Sequence, residues 1–332
     1  MPSPQTLPEI RRFATKVVRP AAITGAVLLA LAVGIGWYGS DRALRPPWYE
    51  PRTPAAGLQP HDGDYLGRVV MQGLDHDPTT DLGLAYETVE FPAVDGSTLR
   101  GWFVPAGPDR TVGVVTVHGG GGDRREFLRH LPFLHETGYP VLLFDCREQG
   151  ISDGTGRGLG FGLRKHEDVS AAVRYLKTTR RAKRVAVLGD SQGGAAVILA
   201  AAADPAIDAV IAENPFTSVR DVVRDSSLRR QPAPDLILRF VSAVVVWRVA
   251  GLGASEPIDV VNKIAPRPLL LMHGTADRVI PAFQSEALYE RAGEPKELWL
   301  VEGADHSQLF NREPVTYRAR VLAFLARWLI ES

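Results

Sequence analysis

From Leu84 onward, short apolar runs alternate with amphipathic stretches along the chain. Runs of apolar or alternating residues predict strands over 86–91, 98–104, 112–117, 141–145, 185–188, 209–212, 269–272 and 298–301. Val94-Asp95-Gly96-Ser97, between the first two, is a hairpin signal. Helical spacing of apolar positions predicts helices over 124–137, 164–178, 195–203 and 285–292. A last helix carries Val321, Leu322, Phe324, Leu325, Trp328 and Leu329 on a wide apolar face. Strands alternating with helices predict the α/β class: a mostly parallel central sheet flanked by helices and opened by an antiparallel hairpin. The insertion over 216–263 holds the apolar stretch 236–250, interrupted by Arg239 and Arg248. It is too short and too charged to cross a bilayer, and reads as a small helical cap that walls a pocket; the plainer reading is a helix packed on the core.

A different pattern opens the chain. No charge interrupts residues 21–38, which are rich in Ala, Leu, Val, Ile and Gly. That length, about 18 residues, is at the short end of a membrane span. Arg11, Arg12, Lys16 and Arg19 precede it against one acid, Glu9. The basic flank predicts residues 1–20 in the cytoplasm, a single transmembrane helix over 21–39, and everything after it outside. Trp37, Trp48 and Tyr49 suit the far interface. The competing reading is a signal peptide cut near Ala30-Leu31-Ala32, which would release a secreted domain. Prolines crowd residues 45–60, so 40–84 reads as a stiff linker or stalk and 85–332 as the folded domain.

Charge and composition narrow the function. Acidic and basic side chains balance at 38 each, so no net field points to nucleic acid. Cys146 is the single cysteine, which excludes an internal disulfide, and it reads as a small core residue. His76 lies between Asp75 and Asp77 without further ligands at metal spacing, and reads as part of a solvated loop. With no phosphate loop, nucleotide fingerprint or metal cluster, neither a cofactor nor a metal is expected.

The chemistry concentrates at Gly189-Asp190-Ser191-Gln192-Gly193, between a buried apolar run and an Ala-rich helix. A strand-turn-helix this tight holds the serine clear of the sheet, and glycine on both sides removes the clash. The amide of Gln192 then points to where an oxyanion would form. Gly119, Ser191, Asp277 and His306 all follow predicted strands. In an open α/β sheet those loops converge on one edge. Asp277 has rivals for a carboxylate role in Glu213 and Asp305, which also follow strands.

From about Tyr86 to its end, the chain resembles an α/β-hydrolase fold serine hydrolase of the esterase or lipase kind. His118-Gly119-Gly120-Gly121, Gly189-Asp190-Ser191-Gln192-Gly193-Gly194, His273-Gly274-Thr275-Ala276-Asp277 and Gly303-Ala304-Asp305-His306 carry the resemblance. The order nucleophile, acid, histidine is kept. The resemblance implies Ser191 as nucleophile, Asp277 as acid and His306 as base. The first two motifs are similar to those of hormone-sensitive-lipase-like esterases. Residues 144–152 are instead similar to broad-range esterase, acyltransferase and peptidase-like members.

These residue types suit one reaction. Serine needs a base during attack, histidine titrates in the right range, and a carboxylate fixes its tautomer. Backbone amides of Gln192 and of the 119–121 loop, with Gly120 preferred, would stabilise the oxyanion. His118 is expected to brace that loop, His273 to pack at a strand end, and Asp190 to shape the turn or pair with an arginine. Arg147 and Asp153 read as loop-bracing charges. The expectation is a serine hydrolase that cleaves an ester, thioester or related acyl bond of a small-molecule substrate, lipid-like ones included. One rival is a serine peptidase of the prolyl-oligopeptidase type, which usually carries a large amino-terminal propeller. A non-catalytic binding protein on the same fold is a rival of another class.

Overall fold

The structure is a computed structural model that describes residues 7–46, 49, 57–58, 69–107, 111–225 and 234–331, with side chains from residue 22 onward. Trp48, residues 1–6 and the stalk prediction over 50–56 and 59–68 lie outside the described residues. Strands β1 (Glu87–Pro92), β2 (Thr98–Val104), β3 (Val112–Val117), β4 (Val141–Asp145), β5 (Arg184–Asp190), β6 (Ala209–Glu213), β7 (Leu269–Gly274) and β8 (Lys296–Val301) form one sheet. Its order is β1-β2-β4-β3-β5-β6-β7-β8. β2 runs antiparallel to both β1 and β4, and every other pairing is parallel. Every residue of β3, β4, β6 and β7 is buried, as continuous apolar runs require when helices cover both faces.

The helices are α1 (Leu7–Leu44), α2 (Pro78–Leu82), α3 (Leu131–Glu136), α4 (Lys165–Thr178), α5 (Gln192–Ala203), α6 (Val219–Asp225), α7 (Asp235–Ala250), α8 (Pro257–Val260), α9 (Phe283–Arg291), α10 (Leu309–Arg312) and α11 (Pro314–Leu329). One core layer joins the sheet to Val169 and Val173 of α4, Val197 and Ala200 of α5, and Leu288 of α9. The opposite layer holds Phe127, Leu131, Phe133, and Val321, Phe324 and Leu325 of α11. Both layers follow from the apolar stripes visible in the sequence.

Besides the predicted stalk over 40–84, where Val70 and Met71 are buried and Pro78–Leu82 forms α2, two elements differ from the sequence pattern. Over 124–137 the chain makes a 3-10 turn, Arg124–His130, before α3 begins. Pro132 has no amide to donate and so cannot continue an α ladder. Upstream, Asp145 fixes the backbone by accepting from the Arg124 amide at 2.8 Å and its guanidinium at 2.6 Å, both buried. The second difference is α1, one unbroken helix that extends beyond 21–39 at both ends. Its stretch Ala22–Leu44 is apolar and long enough to cross a membrane, and its side chains are exposed from Ala22 to Leu31.

The carboxyl end of α1 is covered. Leu44 is buried with Val241, Val245 and Val249 of α7. Gly36 and Gly39 let the helices close: an added Cβ would fall 2.5 Å from Phe240 or 2.7 Å from Val241. Arg248 of α7 donates to Ser40 Oγ at 2.7 Å, pairs with Asp41 at 3.2 Å, and lies 4.2 Å from the centre of the Trp37 ring. Tyr49 Oη sits 3.4 Å from the Glu148 carboxylate. The apolar run expected as a cap helix is α7, and it packs along α1 and α6. Replacing the buried Leu44 by Ala (Leu44→Ala) is expected to lower stability by about 2–5 kcal/mol in denaturant unfolding. A loss below about 0.5 kcal/mol, the size of an ordinary surface change, would mean that the end of α1 does not belong to the domain core.

Candidate active site

β5 ends in a turn that only a crowded backbone explains. Ser191 has φ +56° and ψ −115°, a conformation that costs a non-glycine residue about 1–3 kcal/mol. Its amide donates to Glu213 O at 2.8 Å, and its carbonyl accepts from Ala195 N at 3.0 Å, so α5 starts at once. The helix begins three residues earlier than its alanine run because this turn lies under it. A Cβ on Gly193 would meet Val117 O at 2.0 Å, and one on Gly189 would meet Gly193 O at 2.3 Å. Glycine is therefore the residue that both positions admit.

The structure brings Ser191, His306 and Asp277 together from the ends of β5, β8 and β7. His306 Nε2 is 2.9 Å from Ser191 Oγ, and His306 Nδ1 is 2.6 Å from Asp277 Oδ2. Ser191 and His306 are only 9% and 8% exposed, so their hydrogen bond is largely shielded from water. Burial pushes the Asp277 carboxyl up, but the facing His306 charge and hydrogen bonds from His273 and His306 outweigh it and hold it below the carboxylate range. Burial likewise pushes His306 down, and the Asp277 charge and hydrogen bond more than offset that, leaving it above the ordinary imidazole value. Asp277 is held further by the amides of Val279 and Ile280, each at 2.8 Å.

The rival carboxylates are occupied elsewhere. Glu213 hydrogen-bonds the Tyr317 hydroxyl, and burial, with the Asp190 charge adding, raises its carboxyl to about 8. Asp305 accepts from Arg278 at 2.9 Å and from the His306 amide at 2.8 Å. Asp190 accepts from Asn214 at 2.9 Å and from Ser307 Oγ, not from an arginine. Arg147 pairs with Asp95, Glu167 and Asp168, and Asp153 accepts from Arg100 at 2.7 Å and the Thr98 amide at 2.9 Å.

Gly120 and Gln192 face each other: an added Cβ on Gly120 would sit 2.6 Å from Gln192 Nε2. The Gly119 amide is already taken by the Glu126 carboxylate, at 3.1 and 3.2 Å, leaving the next amide of the loop to Gly120. Gln192 opens α5, where the first amides have no partner within the helix. His118 braces the loop, with Nδ1 2.9 Å from Gly119 O and Nε2 accepting from the Cys146 amide at 3.0 Å. Burial, with the charge of Lys165 adding, holds this ring neutral.

Sequence reasoning missed four supports. Lys165 is buried and donates from Nζ to His118 O and Gly119 O, both at 2.9 Å. Glu126 grips the Gly119 amide, His273 Nε2 lies 3.3 Å from Asp277 Oδ2, and Ser307 holds Asp190. Only Lys165 left a trace in the sequence: a cation in the first turn of a helix opposes the macrodipole and needs another partner. The loop expected to be solvated leaves His76 exposed, against Asp81 at 2.9 Å.

Two family models match this chain: the prolyl oligopeptidase family over residues 159–332 and the X-Pro dipeptidyl-peptidase (S15) family over residues 44–244. An uncharacterised protein of Escherichia coli strain K12, YfhR, is 31% identical over 253 residues, 72% of this chain and 80% of that one. A polyketide transferase of Stachybotrys chlorohalonatus is 25% identical over 291 residues, 73% of this chain and 97% of that one. Among solved structures, the Pyrococcus furiosus esterase Pf2001 superposes with a TM-score of 0.64 at 25% identity, covering 82% of this chain and 99% of that one.

Neutral Glu213 has a thermodynamic consequence. In the unfolded chain a glutamate ionises near 4.3, whereas the folded carboxyl holds its proton to about 8. Between those values the unfolded state releases a proton that the native state keeps, so stability falls as pH rises through that window. Glu213→Gln is expected to flatten the decline by up to about 1.4 kcal/mol per pH unit, read from denaturant midpoints across the window. An unchanged slope would mean that Glu213 is ionised in the fold.

Proposed function

We propose that this chain, which belongs to the serine hydrolases of the α/β-hydrolase fold, cleaves a carboxylic ester, thioester or related acyl bond through an acyl-enzyme. One observation carries the reading: the unbroken run from Asp277 Oδ2 through His306 to Ser191 Oγ, at 2.6 and 2.9 Å. In this reading His306 takes the Ser191 proton as Oγ attacks the acyl carbon, and returns it to the leaving group. Asp277 keeps Nδ1 protonated and stabilises the imidazolium. The amides of Gln192 and Gly120 receive the oxyanion, each worth about 2.7–4 kcal/mol. Water then repeats the sequence on the acyl-serine.

The matched family models favour a second reading, a serine peptidase. An aminopeptidase-like enzyme needs a carboxylate free to take the substrate ammonium. Asp190, Glu213, Asp277, Asp305 and Glu126 all have internal partners. That counts against amino-terminal peptide cleavage, and the likeness to an esterase and a polyketide transferase supports acyl esters. We place α1 across a membrane, with residues 1–20 cytoplasmic and the domain outside; the apolar stretch Ala22–Leu44, long enough to span, supports that reading.

A fluorophosphonate probe is expected to label the wild type and not Ser191→Ala; equal labelling of both would refute the nucleophile. In the same preparation, p-nitrophenyl esters of graded length are expected to turn over, whereas a prolyl peptide set is not, and the reverse outcome would establish the peptidase. Because His306 must be neutral to act and is held above its ordinary value, activity is expected to fall with falling pH along a limb above about 6.5. Asp277→Asn is expected to lower kcat about 10⁴-fold and to move that limb down. A limb unmoved by the substitution would remove Asp277 from its role.

A further inference from the structure

A cleft of about 1080 Å³ is lined by none of Ser191, Asp277 and His306. Five cations face it, Arg147, Arg157, Arg164, Arg248 and Lys263, against two carboxylates, Asp95 and Glu167. Arg147 engages both carboxylates and, outside the lining, Asp168. Arg248 is matched by Asp41 of α1 at 3.2 Å. Arg164 reaches Asp95 only at 3.8 Å, and Arg157 and Lys263 have no ion pair among the described residues. Positive charge is therefore left over in the lining. Burial and then the charges of Arg147 and Arg157 weaken the hold of Arg164 on its proton, and the opposing charges of Glu148 and Glu167 offset this only in part.

The rest of the lining is of another character. Leu163, Leu199, Val249 and Val260 give it an apolar floor, and Trp247, half exposed, stands at its edge. A free inorganic anion has no use for such a floor; an amphiphile with an anionic head fits both parts.

Position selects the source of that amphiphile. Residues 247–251 of the α7 end wall the cleft, and the same helix is clamped to α1 through Gly36, Gly39 and Arg248. Arg45, just past α1, donates to Gly156 O, next to Arg157. Leu236, Phe240 and Trp247 are exposed along α7, beside the exposed apolar surface of α1. The cleft thus opens where α1 meets the domain, at the level where a bilayer would present its headgroups.

We propose that this cleft binds an anionic phospholipid from the bilayer, its phosphate on Arg157, Arg164 and Lys263 and its glycerol and first acyl carbons over Leu163, Leu199 and Val260. The proposal rests on the reading of α1 as a retained anchor. Juxtamembrane cations and an apolar surface are the usual means by which proteins hold such lipids.

The test uses the full chain in detergent micelles, titrated with phosphatidylglycerol or phosphatidylcholine and read by native mass spectrometry. Phosphatidylglycerol is expected to bind roughly tenfold more tightly, and Arg157→Ala with Lys263→Ala to lose roughly tenfold of that affinity. Fluorophosphonate labelling of the double variant is expected to match wild type, since neither residue belongs to the serine site. Equal binding of the two lipids, or a double variant that binds like wild type, would overturn the cleft as the site. Displacement by inorganic phosphate or glycerol 3-phosphate as readily as by lipid would overturn the phospholipid as the occupant. Alkaline carbonate extraction reads the anchor separately: retention in the pellet supports the bilayer as source, and release overturns it while the micelle measurement still judges the cleft.

Discussion

The close approach of α5 to the end of β3 is the constraint on which this molecule depends. Gly193 lies so near Val117 O that no side chain fits between them, and the backbone must fold back at Ser191 with a positive φ. Strain of that kind persists only where surroundings over-determine it. Here they do: α5 is buried along most of its length, β5 is flanked by β3 and β6, and the Ser191 amide is held by Glu213 O. Relaxing the turn would mean lifting a core helix off the sheet. The serine is therefore presented by the packing of the whole domain.

Around that turn the sheet edge is held by polar groups that water hardly reaches. Lys165 draws in two carbonyls of the glycine loop, Glu126 takes one of its amides, and Gln149 donates to Gly119 O at 3.2 Å. On the other side Asp190 joins the loop after β6, through Asn214, to the loop after β8, through Ser307. In a low-dielectric interior such bonds are strong and their loss is costly, so the loops have little freedom to drift. Burial alone would push the Asp277 carboxyl up; two imidazoles and two amides hold it down instead.

The parts legible in the sequence are those set by local pattern. Strands β3 to β7 announce themselves as apolar runs because both of their faces are covered. Ser191 is marked by glycines on either side, and Asp277 and His306 by their place after a strand. Apart from Lys165, the supports were silent because each acts across a loop: nothing near Glu126 or Ser307 in the chain indicates Gly119 or Asp190. The 3-10 turn over Arg124–His130 hid behind a helical spacing, since its cause, the Asp145 carboxylate, lies on another strand. The partner of α7 was equally hidden, because an apolar helix face does not state what it will meet.

That partner changes how the domain is carried. A catalytic unit hung on a flexible cord can turn in any direction and sweep a wide arc. With two glycines of α1 sunk into α7 and Leu44 packed in the domain, swivelling at that joint is removed. The mouth of the serine site then keeps one height and one tilt relative to the axis of α1, so under the proposed function reach becomes a selector: an acyl bond displayed at the wrong elevation would be passed over, however well its chemistry matches.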